Sequence, residues 1–267
     1  MAKPKTIGII SIKGGVGKTS AVGALGAALA NHFDKRVLLV DANFSAPNLG
    51  LHMGLVNPEV TLHDVLNNKK DIKEAVYETE HGFHMIPGAL IGKQVNPFKL
   101  KDKLKPLRKH YDIILIDSSP TLNEEILATM IASDELFVVT TPDHVTLGTT
   151  LRAVKLAKQK KTPINGLILN KVHGREFELS LEDIEDAAEC GVVAVLPHEL
   201  GILEALSQNM PSTLHKKSNS TKEYVKFAGA LVGEEYKGNT IGERLSRLFK
   251  RPKKQDINRL VLIQDRK

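Results

Sequence analysis

The chain of 267 residues is 42% hydrophobic and carries a formal net charge of +6, which supports one sizeable core, a single domain with a tail. No apolar run reaches the roughly eighteen residues that a membrane span needs, Met1 to Thr6 lacks the apolar core of a secretory signal, and the lone Cys190 excludes an intramolecular disulfide and fits a reducing cytosol. The positive charge is local: residues 237–267 hold ten Lys/Arg against three Asp/Glu, so residues 1–236 are close to neutral, unlike a body that coats DNA with clustered positive charge.

In chain order, the apolar run Ile7 to Ile12 predicts a first strand. Lys13-Gly14-Gly15-Val16-Gly17-Lys18-Thr19 follows directly, and Ala21 to Phe33 reads as a helix. A strand, a tight glycine loop and a helix start form a phosphate cradle, because glycines let backbone N–H groups close round an anion and the helix N-terminus adds partial positive charge. In such a loop Lys18 reaches the β/γ-phosphates and the Thr19 hydroxyl ligates Mg²⁺, with Gly14, Gly15, Val16, Gly17 and Ser20 completing the wall.

Arg36 to Val40 then reads as a strand ending at Asp41. Thr61 to Leu66 and Asp71 to Tyr77 read as short helices, Phe83 to Pro87 as a strand, and Lys99 to His110 as a charged surface helix. The strand Ile113 to Ile116 runs into Asp117, where four large apolar residues followed by an acid match a Walker B carboxylate that holds Mg²⁺. Glu124 to Ala132, Val145 to Lys160, Leu181 to Cys190 and Glu199 to Gln208 are predicted helices. They alternate with the strands Leu136 to Thr140, Ile164 to Asn170 and Val192 to Leu196. This alternation predicts an α/β fold, a single doubly wound, mostly parallel sheet with helices on both faces and ligands at the carboxyl ends of its strands.

The second lysine of the loop, Lys13, makes the motif more specific. Lys-Gly-Gly-Val-Gly-Lys-Thr resembles the deviant Walker A motif of the MinD/ParA ATPases, SIMIBI-class P-loop proteins, and the resemblance covers roughly residues 3 to 235, including Val60 to Leu66. It implies a homodimer that binds ATP and Mg²⁺, with Lys18 acting in cis and Lys13 reaching the partner's nucleotide. Asp41-Ala42-Asn43-Phe44 is similar to the family's switch I. The family has a second acid where this chain has Asn43, and an amide can orient water but cannot accept its proton, so slow hydrolysis is expected. Pro120 stands where the family's switch II has proline, and Thr121 where glycine is common. Asn170 resembles the family's adenine-binding asparagine, and Pro197-His198-Glu199 resembles the loop that closes over the base. Asparagine suits that task because it offers both a donor and an acceptor. Thr140 to Asp143 looks like a family loop near the dimer interface whose role here stays open. A single cysteine speaks against the iron–sulfur relatives on this fold.

The stretch 241–251 places Ile241, Leu245, Leu248 and Phe249 on one side of a helix with Arg244, Arg247, Lys250 and Arg251 around them. It resembles the membrane-targeting helix of MinD proteins, which implies weak binding to an anionic membrane that a dimer strengthens through avidity. Lys253 and Lys254 are expected to add to that attraction, and the apolar run 257–263 is open to three roles: a docking strand, a second anchor or a partner site. The expected organisation is an ATPase domain over 1–236 and a basic tail over 237–267. The reading is a MinD-like spatial-positioning or cell-division switch, cytoplasmic and peripherally membrane-associated, with a protein partner that the sequence does not identify. The alternatives are a ParA-like DNA-segregation ATPase, disfavoured by the near-neutral body, and an ATP-bound adaptor without turnover.

Overall fold

The computed structural model describes residues 3–92, 94–236 and 252–266. The stretch 241–251 therefore lies outside the described residues, which stop at Tyr236 and resume at Pro252. Strand β1 (Lys5–Ile10) leads through the glycine loop into α1 (Lys18–Phe33), and β2 (Val37–Ala42) leads into the short helices α2 (Leu49–His52) and α3 (Leu62–Leu66). A small hairpin, β3 (Tyr77–Glu78) and β4 (His84–Ile86), precedes α4 (Leu100–Leu104), β5 (Ile113–Ser118) and α5 (Glu124–Ala132). The second half continues with β6 (Glu135–Thr140), α6 (His144–Lys160), β7 (Ile164–Val172), α7 (Leu181–Ala188), β8 (Val192–Pro197), α8 (Leu200–Ser207), α9 (Ser212–His215), α10 (Asn219–Leu231) and α11 (Lys254–Gln264).

The strands form one sheet in the order β3-β4-β2-β5-β1-β6-β7-β8, parallel except for the β3–β4 pair. The central strands are buried from end to end, which is why they read as continuous rather than alternating apolar runs. One face packs on α1 and α10, where Leu25, Leu29, Phe137 and Phe227 share a core. The other carries α3 and α4 over Leu38, Val40 and Ile116 on one half, and α5, α6 and α7 over Ile10, Val138 and Leu167 on the other. The doubly wound sheet is therefore as the alternation predicts.

Three segments differ from expectation. Asp71 to Tyr77 is one 3-10 turn, Ile72–Ala75, capped reciprocally by Asp71 and Glu74. Tyr77 then pairs with Met85 in the hairpin, and its hydroxyl donates to the Val60 carbonyl at 3.1 Å. Lys99 to His110 breaks into a 3-10 turn, α4 and a second 3-10 turn, Lys105–Leu107, because Pro106 lacks an N–H and clashes with the preceding turn. Its charged residues Lys101, Asp102, Lys105 and Lys109 are exposed as expected, while Leu100, Leu104 and Leu107 are buried.

The third difference is the run 257–263, which forms most of helix α11 rather than a docking strand. Leu262 and Ile263 enter the main core, while Asn258 and Arg259 donate to the Val192 and Val193 carbonyls of the edge strand β8, both at 2.8 Å. The helix thus covers an edge that would otherwise expose unpaired backbone. Arg259, 4% exposed, also pairs with Glu223 at 2.8 Å and with Asp256. Lys254, read as a lipid-facing charge, is instead paired with Glu185 at 2.9 Å. Among the described residues no helix is long and apolar enough to cross a membrane.

Removing one partner of a buried ion pair leaves the other charge uncompensated. Arg259→Ala should therefore cost about 3 kcal/mol of folding stability, read as a lower urea midpoint with an unchanged slope. A change below about 0.5 kcal/mol, the range of ordinary surface substitutions, would show that the helix is not held by this group.

Candidate nucleotide site

The strand order puts β1 at the centre, between β5 and β6, with β2 beyond β5. In register, Ile9 of β1 and Asp41 of β2 both lie opposite Asp117 of β5. The two acids therefore stand side by side where β1 enters the glycine loop. Gly15 and Gly17 have φ of +75° and +93°, a left-handed backbone that favours glycine. A Cβ on Gly17 would also lie 2.3 Å from Nδ2 of Asn170. Gly17 caps α1 without a side-chain bond, so the first-turn N–H groups remain available to an anion.

Lys18, Asp41 and Asp117 are all buried. Asp41 accepts backbone N–H bonds from Asn43 at 3.2 Å, Asn48 at 3.0 Å and Leu49 at 2.9 Å. Burial and the neighbouring Asp117 charge still push its carboxyl above the usual carboxylate range. Burial pushes Asp117 up as well, against the pull of Lys18 and the Thr19 hydroxyl. Burial lowers Lys18, opposed by both acids. The three groups form a desolvated cluster with two acids and one base.

The Thr19 hydroxyl lies 2.7 Å from Oδ2 of Asp117 and 3.1 Å from Oδ1 of Asn48. Its single proton serves one acceptor at a time, and the shorter contact to the carboxylate takes it. Oδ1 of Asp117 and Oδ1 of Asn43 are buried without a hydrogen-bond partner among the described residues. The orphaned carboxylate oxygen of Asp117 and the Thr19 hydroxyl beside a phosphate cradle fit a hard divalent cation, which takes oxygen ligands, while the Asn43 oxygen is left for water. Asn43 is fixed from its other end, where Nδ2 donates to the Ala46 carbonyl at 2.6 Å. In switch II, Ser119 and Thr121 share a hydroxyl contact of 3.0 Å.

A cleft of about 300 Å³ runs from Gly14, Gly15, Gly17, Lys18, Thr19 and Ser20 past Asn43 and Pro120 to Asn170, Pro197 and Glu199. It brings together most of the residues singled out from the sequence. Val16 lies behind the loop in the core, its carbonyl bonded to Asn170 Nδ2 at 2.8 Å. Asn170 also accepts the Lys171 N–H at 2.9 Å, so it braces the loop as well as lining the cleft. The Glu199 carboxylate accepts N–H bonds from Asn219 and Ser220, both at 3.2 Å. These bonds, with the Ser218 and Ser220 hydroxyls, outweigh burial and hold Glu199 below the usual range. Glu199 thus binds the N-terminus of α10.

Lys13 does not line the cleft. Its Nζ is 2.5 Å from the Thr146 hydroxyl and 3.5 Å from the Asp143 carboxylate, half-exposed on the rim. Burial opposes ionisation of Asp143, but the Thr141 and Thr146 hydroxyls, the Thr146 N–H and Lys13 outweigh it and hold the carboxyl well below its usual range. The Thr140–Asp143 loop, open in the sequence, is thus the resting place of Lys13. Three further residues of the cleft carry no linear signal: Asn48 at the N-terminus of α2, His52 at its end and Tyr224 on α10.

Strand, left-handed glycine loop, uncapped helix start and paired strand-end acids define the P-loop class of nucleotide-binding proteins. Residues 4–165 match the family described as AAA domain. An ATP-binding protein of Methanocaldococcus jannaschii, itself uncharacterized, is 34% identical over 234 residues, 86% of this chain and 88% of that one. The cell division ATPase MinD of Pyrococcus furiosus superposes with a TM-score of 0.80 at 32% identity, covering 84% of this chain and 97% of the other. The septum site-determining protein MinD of Pyrococcus horikoshii, solved with Mg-ADP, gives 0.80 at 30%, covering 84% and 94%. The chain belongs to the MinD/ParA family of P-loop ATPases.

Two adjacent buried carboxylates repel when both are ionised. Asp117→Asn should raise the melting temperature of the ligand-free protein at pH 7, by an amount equivalent to about 1 kcal/mol, and abolish the added stabilisation by Mg-ATP. The gain should shrink as pH falls, because the raised carboxyls of the parent then protonate and lose their repulsion. A lower melting temperature in the ligand-free variant would contradict this account of the cluster.

Proposed function

We propose that this chain is an ATP-dependent dimerisation switch that hydrolyses ATP slowly and positions partners at an anionic membrane surface. The observation that carries this reading is the position of Lys13. Its ammonium is half-exposed on the rim, outside its own cleft, and rests on Asp143 and Thr146. A lysine there serves its own phosphates poorly but can be lent to a second protomer facing the same rim. Exposed Leu122, Val145, Leu200 and Leu203 supply apolar area for a second copy on this side of the molecule.

In this reading Lys18, the loop N–H groups and the N-terminus of α1 bind the phosphates in cis. Thr19 and Asp117 hold magnesium, which neutralises charge on the terminal phosphates. Asn43 orients the attacking water through its free carbonyl oxygen without accepting a proton. Positioning and charge stabilisation account for most of phosphoryl-transfer catalysis, so turnover persists without the second acid. The segment 241–251, displayed twice by the dimer, supplies membrane affinity through avidity, and hydrolysis releases it. The relatives solved as MinD, one of them with Mg-ADP, support nucleotide and magnesium binding here.

Light scattering with a non-hydrolysable ATP analogue and magnesium tests the switch. The parent is expected to dimerise and Lys13→Ala to remain monomeric while still binding nucleotide. A parent that stays monomeric at saturation would remove the switch. Liposome and DNA co-sedimentation under the same conditions separates the membrane reading from DNA segregation: anionic vesicles should pellet the protein and DNA should not.

Asn43→Asp should raise ATP hydrolysis about tenfold or more, since a positioned base contributes that much. It should also cost the ligand-free fold about 1 kcal/mol by breaking the bond to the Ala46 carbonyl. Phosphate release equal to or below the parent's would refute the role given to position 43.

A further inference from the structure

The polar surface of the cleft is unevenly distributed. The glycine loop, Asn43 and Asn48 make one end polar, while Pro197, Ile202, Leu203, Leu206 and Tyr224 make the other largely apolar. A nucleotide is divided in the same way, with charged phosphates at one end and a flat base on a ribose at the other. Resting on the reading of this cleft as an ATP site, we infer that the hydroxyl of Tyr224 is a binding group for the nucleoside half.

Tyr224 is 2% exposed and its ring belongs to the main core, with Val225 and Phe227. Among the described residues no hydrogen bond engages its hydroxyl, yet that oxygen is not one of the buried atoms left unsatisfied, so it is the part of the side chain that meets the cleft. A phenyl ring would fill the same core volume, and the hydroxyl adds no hydrogen bond within the protein to it. Core packing therefore accounts for the ring of Tyr224 and not for its oxygen. An oxygen at the boundary between core and cleft is accounted for by a polar group that enters the cleft.

Lys171 and His198 at this end are exposed to solvent, and the less exposed polar groups already bond to the protein. Asn170 is bonded to the Val16 carbonyl and the Lys171 N–H, and Glu199 to the N-terminus of α10. His52 has a buried Nδ1 without a partner, but it belongs to α2, whose preceding residue Asn48 touches Thr19 at the phosphate end. Among the described residues Tyr224 is the buried donor on the apolar side that no protein group engages. A base and ribose offer ring nitrogens and hydroxyl oxygens to it, while Ile202, Leu203 and Leu206 supply an apolar wall for the flat faces.

The test is Tyr224→Phe, titrated by calorimetry with Mg-ATP and, separately, with magnesium tripolyphosphate, which carries the phosphates without the nucleoside. The affinity for ATP should fall about three- to tenfold, the worth of one net hydrogen bond. Tripolyphosphate affinity should be unchanged, and the ligand-free melting temperature should stay level or rise. An unchanged ATP affinity would overturn the inference. So would an equal loss for both ligands, which marks a general distortion of the cleft, or a lower ligand-free melting temperature, which marks a structural role for the oxygen. A parent protein that binds tripolyphosphate and ATP equally well also counts against it, whereas a parent that binds neither removes the ATP reading itself.

Discussion

The site depends on a cluster of three charges, Lys18, Asp41 and Asp117, held out of water where three parallel strands end. Desolvation works against every member, and one lysine cannot neutralise two carboxylates. The arrangement is tolerated because the backbone around it is committed to it. Asp41 is bonded by three N–H groups from the loop that follows β2, and Asp117 by the Thr19 hydroxyl at the start of α1. A cluster short of positive charge, with a buried oxygen of Asp117 left unpaired, is prepared for a cation. The same features that make the ligand-free site costly suit it to its ligand.

Around this cluster, the loop groups given roles in the proposed switch are tied by a few side-chain contacts that a ligand could exchange. Asn43 hangs from the Ala46 carbonyl, and Ser45 donates to Glu125 at the start of α5. Lys13 rests on Asp143 and Thr146 at the start of α6. None of these contacts belongs to the sheet. Each can be broken without disturbing a strand, so the proposed switch needs no rearrangement of the core. The rigid elements position the acids, and the loops carry the groups that would move.

The C-terminal helix changes how the basic end of the chain is understood. Charge counting treats residues 237–267 as one tail, yet α11 closes the β8 edge and buries an arginine with two acids. Pro252 and Tyr236 line a common small pocket with Arg259 and Leu260. The chain therefore leaves the body and rejoins it at neighbouring points. Lys254 is held by Glu185, so it is not a free charge for a surface.

The sequence by itself determined the sheet, the phosphate loop and its two acids, because each is encoded by neighbours. Continuous apolar strands, glycines at left-handed positions and an acid at a strand end are local demands of backbone geometry and burial. It was equally sufficient for the family, through Lys13 and Lys18 in one seven-residue motif. Only the tertiary structure decided which polar atoms are engaged and which are free. Asn170 and Glu199 line the cleft and also brace Val16 and α10, which are distant in sequence. Tyr224 reads as a core aromatic until the cleft beside it is seen. The run 257–263 follows the same logic: its apolar residues suit a strand or a helix, and the unpaired edge of β8 settles it as the helix that covers it. Hydrogen-bond partners far apart along the chain leave no periodicity, so only the folded arrangement shows how they are shared.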